Sequence, residues 1–306
     1  MNIIEKAYLL INEPVDPHLK CPLEIADIVN FVEAEPGEDV VYFASTAQDR
    51  GDTTIISADA AGSLTYAKIP LKSTTTLSFS GLQSNLETVL LDEIVNSKDQ
   101  LALAAKKDGI IRNMDNIEKK NILSLVLAAS SQEVTKASGE DLLDVITKMK
   151  QKVSDYATDY ILLVASDVMN KIETYDKDNV DNFNYKMSIM EEITKLGIKK
   201  VVKIVGEDGS GNKILADGIA ILVGRESSIT NNGRPLTLVR RKFTKEIAEF
   251  SGAKEGASRL VNIAQIPVIV NSSGRNTLGY GVYGYESVVQ VLTNLRAVSF
   301  CNNIIS

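Results

Sequence analysis

Apolar and polar positions recur along the chain with two periods, and the switches between them mark the elements. From Pro22, the residues Leu23, Ile25, Ala26, Ile28, Val29 and Phe31 repeat at helical spacing. Pro36 and Gly37 break that pattern, and Val40 to Phe43 reads as a strand. Arg50-Gly51-Asp52 reads as a turn, and stretches rich in Thr, Ile and Tyr follow on either side of Ala61-Gly62. Thr74 to Phe79 continues the strand pattern. The pattern predicts a long β-hairpin with few large apolar residues. A lone hairpin is marginal in water, so this one is expected to lie on its own domain or on a neighbouring subunit.

A helix is predicted next. Ser84-Asn85-Leu86-Glu87 has the form of a capping box, and Leu86, Val89, Leu90, Ile94, Leu101 and Ala105 form an apolar stripe that Gly109 stops. A helix from Asn85 to Asp108 would be about 36 Å long. A second helix is expected from about Asp115 to Ala129, carrying Ile117, Ile122, Leu125 and Val126. Ser138-Gly139-Glu140-Asp141 caps a third, with Leu142, Val145, Ile146, Met149 and Val153 on its apolar face. Tyr160 to Val164 reads as a buried strand, followed by helical segments at Val168 to Glu173 and Tyr185 to Leu196. Strands are expected at Val201 to Val205, Gly218 to Val223, Leu236 to Phe243, Leu260 to Ala264, Val268 to Val270 and Val288 to Leu292. The chain thus reads as α+β at both ends with an α/β middle.

Composition narrows the function. The 306 residues are 44% apolar and 24% charged, which excludes dominant disorder. The net charge is −7, whereas a chain whose main task is gripping nucleic acid is usually basic. One His and two Cys remove most metal sites and most His-based catalysis. Cys21 and Cys301, far apart, read as reduced thiols of a cytosolic product. The segment after Met1 has no secretory pattern and suggests no removed pro-segment. The longest apolar run, around Ile122 to Ala129, is far below the ~20 residues of a membrane span.

Motifs with chemistry mostly fail on context. Gly279 to Gly284 matches G-x-G-x-x-G, but no acidic residue follows Ser287, so it reads as a glycine-rich turn between strands. Gly206 to Lys213 lacks the Gly-Lys-Ser/Thr ending of a phosphate loop and reads as a hairpin tip. Asp176, Asp178 and Asp181 lack the glycine and the bidentate glutamate of a calcium loop. His18 sits in a Pro-bounded arm and reads as structural or exposed. Arg240-Arg241-Lys242 reads as a solvated strand end or an ion pair across a subunit boundary.

The order of elements is an N-terminal arm, a long hairpin, a long capped helix, an α/β lobe and returning strands. It resembles the major capsid protein of tailed bacteriophages, with the Hong Kong 97 fold. The closing stretch from Gly281 to Leu292 reads like the end of such a chain. The resemblance covers nearly the whole chain and rests on element order and texture. It implies an arm over 1–43, an extended loop over 44–80, and a peripheral domain over 81–136 and 226–265 with a spine helix at 84–108. It also implies an axial domain over 137–225 and 266–306. Hexamers and pentamers in an icosahedral shell around double-stranded DNA would follow, assembled in the bacterial host cytoplasm and found in the virion. A separate scaffolding protein and a portal are implied partners, with no cofactor, metal, membrane or catalytic residue. Subunit contacts would fall on Thr53, Leu64, Tyr66, Lys68, Lys72, Arg240 and Arg241. Lys68 and Lys72 lie where some members form covalent crosslinks, but non-covalent contact is the expectation. An encapsulin compartment shares that fold. A nucleotide-binding α/β enzyme is the other rival, weakened because Ala165-Ser166-Asp167 follows the buried strand with no glycine.

Overall fold

The computed structural model describes residues 22, 24–37, 40–44, 72–76, 79–83, 87–90, 101–174, 189–225, 233–246, 248, 256–272 and 275–305. Helix α1, Leu101–Leu127, is the longest helix among them. Its inward stripe advances by four residues per step. Ile110, Met114, Glu118, Ile122 and Val126 are all 0% exposed. Gly109, expected to stop a helix, lies inside α1. A mid-helix glycine costs about 1 kcal/mol relative to alanine, and burial of the flanking stripe outweighs it.

The two helices expected at 84–108 and 115–129 are therefore one, and it starts later. Glu87–Leu90 is strand β5, paired with strand β11, Arg275–Leu292. Thr88 and Val89 are β-branched and stand opposite Gly281 and Tyr280. Pairing to an available sheet edge overrides a local helical pattern that Leu86, Val89 and Leu90 fit only over one turn.

Strand β11 is the axis of a six-stranded sheet with β1 (Val29–Ala34), β4 (Ser80–Gln83), β5, β9 (Leu236–Arg241) and β10 (Arg259–Ser272). Strand β1 runs parallel to β9, and every β11 pairing is antiparallel. The helical spacing after Pro22 yields only one turn, with Val29 N–H donating to the Ile25 carbonyl at 3.1 Å. Val29 and Phe31 then enter β1, where the exposed edge of β9 gives them a ladder. The glycines from Gly279 to Gly284 are not a turn but the middle of β11, where β5 pairs with Gly279 and Gly281 and β10 with Gly279 and Gly284. Residues 266–292, expected with the axial lobe, belong to this sheet, because β10 runs unbroken through the supposed boundary at 265 apart from a register shift between Ile263 and Pro267.

The second sheet has the order β12 (Val298–Cys301), β8 (Ala220–Arg225), β6 (Asp159–Val164), β7 (Ile198–Lys203). All six residues of β6 are buried, which matches its continuous apolar run. Helix α2, Leu142–Val153, begins at the expected place. The Asp141 carboxylate accepts the Asp144 N–H at 2.9 Å, and the Asp144 carboxylate accepts the Asp141 N–H at 3.1 Å. The five apolar residues foreseen on α2 are its buried face. Helices α3 (Ser166–Thr174) and α4 (Ile189–Lys195) add the remaining cover. Gly197 ends α4 at φ +83°, a left-handed stop that favours glycine.

Strands β2 (Val40–Ala44) and β3 (Lys72–Thr76) pair antiparallel as the stem of the expected hairpin. Residues 45–71 lie outside the described residues. One apolar cluster runs through both sheets, joining Ile25, Leu236 and Val288 to Ile122 and Val126 of α1 and on to Ile146, Leu162 and Phe300.

Candidate functional site

The inward stripe of α1 carries one acid, and that acid organises the centre of the molecule. Glu118 accepts two hydrogen bonds from Arg240, from Nε at 2.7 Å and from Nη2 at 2.6 Å. Arg259 Nη2 lies 3.1 Å from the same carboxylate. Arg259 also donates from Nε to Glu286 at 2.6 Å and from Nη1 to Asp115 at 2.6 Å. The Arg240 guanidinium sits 5.2 Å from the centre of the Phe31 ring. Arg240 is 3% exposed, and Glu118 and Glu286 are 0% exposed. Planar guanidinium forks suit this bidentate geometry in a way that lysine would not.

Burial pushes the Glu118 carboxyl upward, and the charge and hydrogen bonds of Arg240 oppose that push. Burial also works against the charge of Arg259, but Glu286 and Glu118 outweigh it and hold that guanidinium protonated.

The same turn of α1 fastens a loop of the second lobe. Asn116 Nδ2 donates to the Glu207 carbonyl at 3.0 Å, and Lys119 Nζ donates to the Val205 carbonyl and to Glu24, each at 3.0 Å. Lys120 pairs with Asp208. The Asp208 carboxylate also accepts the Ser210 and Asn212 N–H groups at 2.9 Å, closing the loop. Lys120 foremost, with those amides, holds this carboxyl well below the usual carboxylate range. Gly206 makes the approach possible: its φ is +118°, and a Cβ there would meet Asn116 Oδ1 at 2.7 Å. A cleft of about 500 Å³ opens alongside, lined by Arg112, Asn116, Ser166, Val205, Glu207 and Lys213 among others. The 206–213 stretch is thus the tight loop foreseen, with Glu207 and Lys213 bridged across it.

The expected contact residues fall in different places. Thr53, Leu64, Tyr66 and Lys68 lie outside the described residues, as do His18, Cys21, Asp176, Asp178 and Asp181. Lys72 opens β3 opposite Ala44. Arg240 is not a solvated strand end but the partner of Glu118, because alternation along β9 turns it toward α1. Arg241 faces the other way, its guanidinium 3.9 Å from the centre of the Phe79 ring. Cys301 is a buried free thiol, and burial raises its pKa. Among the described residues no cluster of His, Cys, Asp or Glu could hold a metal, and no helix is long and apolar enough to cross a membrane. Sequence reasoning missed Glu118, Arg259 and Glu286. A lone acid at an inward position of a four-residue stripe was the available signal for the first of them.

No family model matches the chain, and no curated protein matches it in sequence. Solved structures do match. A phage-related protein from Bordetella bronchiseptica RB50 aligns with a TM-score of 0.56 at 10% identity, over 98% of this chain and 97% of the other. A protein assigned as the capsid protein of a prophage of E. coli CFT073 aligns at 0.51 and 9% identity, over 99% of both chains. A structure of Microbacterium phage Oxtober96 aligns at 0.50 and 12% identity, over 95% and 93%. The chain has the fold of tailed-phage major capsid proteins. In this capsid fold the Glu118 cluster binds α1 to the β11 sheet, and the Asn116, Lys119 and Lys120 contacts bind α1 to the second lobe. What the arrangement can do chemically is hold parts in place: its charges are paired with one another inside the chain.

Proposed function

We propose that the chain is the major capsid protein of a tailed phage and assembles with copies of itself into an icosahedral shell around double-stranded DNA. The observation that carries this reading is the end-to-end likeness to the prophage and phage-related proteins, which spans both sheets and α1. In this reading residues 1–43 are the arm and 44–80 the extended loop. Helix α1 takes the spine role, the β11 sheet is the peripheral body, and the β6 sheet with its helices is the axial lobe. Hexamers and pentamers are the expected capsomers, and a scaffolding protein and a portal are the expected partners. The protein serves as structure rather than as an enzyme, and its net charge of −7 suits a container that must not adhere to its contents. Thr53, Leu64, Tyr66, Lys68, Lys72 and Arg241 remain the proposed contact residues. Arg240 acts behind them by fixing the sheet on α1.

A virus-like particle from Pyrococcus furiosus, with TM-score 0.50 and 9% identity over 98% of both chains, supports a second reading. In that second reading this chain forms an encapsulin-type shell around a protein cargo instead of DNA.

Sedimentation velocity with electron microscopy of the fast fraction tests the first reading. Closed particles whose contents include nuclease-protected DNA are expected. Closed particles filled with a foreign enzyme would replace the phage reading by the cargo shell. A dimer at every concentration, with a nucleotide bound, would overturn both.

A further inference from the structure

Residues 24–37 carry four acids, Glu24, Asp27, Glu33 and Glu35, and no Lys, Arg or His. Cations from several elements meet this segment. Lys119 of α1 donates to Glu24 at 3.0 Å, Lys200 of β7 to Asp27 at 2.8 Å, and Lys242, just past β9, to Glu35 at 2.6 Å. Arg234, just before β9, donates to the Val29 carbonyl at 2.9 Å. Each of these partners stands at least 95 residues further along the chain. Exposed ion pairs add little energy, but their arrangement sets register and selects the partner. The apolar side chains do the holding. Ile25 and Ile28, 0% and 1% exposed, reach the core that both sheets share.

The segment therefore lies on the body as a ligand lies in a groove. Strand β1 is the outer strand of its sheet and pairs with β9 alone. The chain runs on into the β2–β3 stem, whose strands pair only with each other among the described residues. It next joins the main sheet at β4. Residues 24–37 and the stem thus form one arm, and the β9 edge is its ladder to the body among the described residues.

We propose that this arm is exchanged between copies, so that residues 24–35 of one chain dock on the β9 edge of a neighbouring chain. The proposal rests on the shell reading, which supplies the neighbour. An exchanged segment makes in another copy the contacts it makes in its own, so the transfer loses none of them and ties two subunits together. Lys119, Lys200 and Lys242 restrict the occupant of the groove to an acidic, amphipathic segment, and a second copy of this chain carries one in matching register.

Val32 and Val239 are register partners and pack together on the face of the sheet opposite Arg240. Cysteines on adjacent strands at such positions lie within disulfide reach. The test uses full-length chains whose own Cys21 and Cys301 are replaced by Ala. Val32→Cys and Val239→Cys are placed in two differently tagged chains and co-expressed, and a third chain carries both changes. Each preparation is oxidised, separated by sedimentation and run on a non-reducing gel. The expected result is a disulfide-linked species with both tags in the fast fraction, and covalent multimers from the chain with both changes. Unlinked tags in the fast fraction, with the doubly changed chain closed internally as a monomer, would overturn the exchange. No link in any preparation would overturn the register on which it stands. Absence of a fast fraction would count against the shell reading by itself; linked tags would then still uphold the exchange, and unlinked tags would overturn it.

Discussion

Replacing Glu118 by Gln removes one negative charge and almost no volume. Two guanidinium groups then remain buried against Glu286, with Asp115 reaching only Arg259. The Gln carbonyl can still accept one N–H, but its amide would point donors at a guanidinium that needs an acceptor. Arg240 loses the charge opposite it and one of its two bonds to residue 118, at 2.6 and 2.7 Å, and its remaining carboxylate is Glu286 at 3.4 Å. Breaking a buried ion pair from one side costs about 3–5 kcal/mol, because an uncompensated charge is left inside. At ~2–4 °C per kcal/mol, that lowers the melting midpoint by roughly 6–20 °C. Urea unfolding followed by circular dichroism measures it directly. The control is Glu118→Leu combined with Arg240→Met, which removes both members and leaves Arg259 paired with Glu286 and Asp115. This double variant is expected to be more stable than Glu118→Gln alone. A loss below about 1 kcal/mol for Glu118→Gln, or a double variant as unstable as the two single changes added together, would refute the account of a charge-balanced cluster.

Other parts of the fold give further tests. Asp141→Ala removes the side-chain acceptor of the α2 cap while leaving the residue-141 N–H bonded to Asp144, and is expected to lower stability by about 1 kcal/mol in the same urea assay. A Cβ on Gly224 would collide with that of Ala157 across the strand, so Gly224→Ala is expected to cost about 1–3 kcal/mol and Ala157→Gly to restore much of it. The depressed Asp208 pKa contributes loop stability that is present above the ordinary carboxylate value and lost as pH falls through the folded value. Slow hydrogen exchange at the Ser210 and Asn212 amides is therefore expected to persist at about pH 4 and to disappear only in stronger acid, and Asp208→Asn is expected to abolish it at every pH.

Legibility in the sequence followed the range of the forces involved. Helix α2 could be read residue by residue, because its cap and its apolar face are set within four residues of each other. The β6 run was equally plain, since a strand buried on both faces needs no partner to be recognised. Glu87–Leu90 was misread because its state depends on β11, nearly two hundred residues away, whose free edge decides against the helix. The start and length of α1 went wrong for the same reason, with Leu101 and Ala105 counted into a stripe that belonged to two elements. The site was least visible. Arg240 stood out only as part of a basic cluster, and nothing local joins it to Arg259, which becomes its neighbour through the register of β9 and β10 on β11.

The parallel pairing of β1 with β9 sets an order in time. Val29 finds its partner at Leu236, about two hundred residues later in the chain. At ~5–20 residues per second of synthesis, β1 leaves the ribosome roughly 10–40 s before β9 exists. Until then Val29 and Ala34, both 1% exposed in the finished fold, have no ladder to join. The first strand among the described residues is therefore among the last to dock, and the sheet around β11 closes only when nearly the whole chain has been translated.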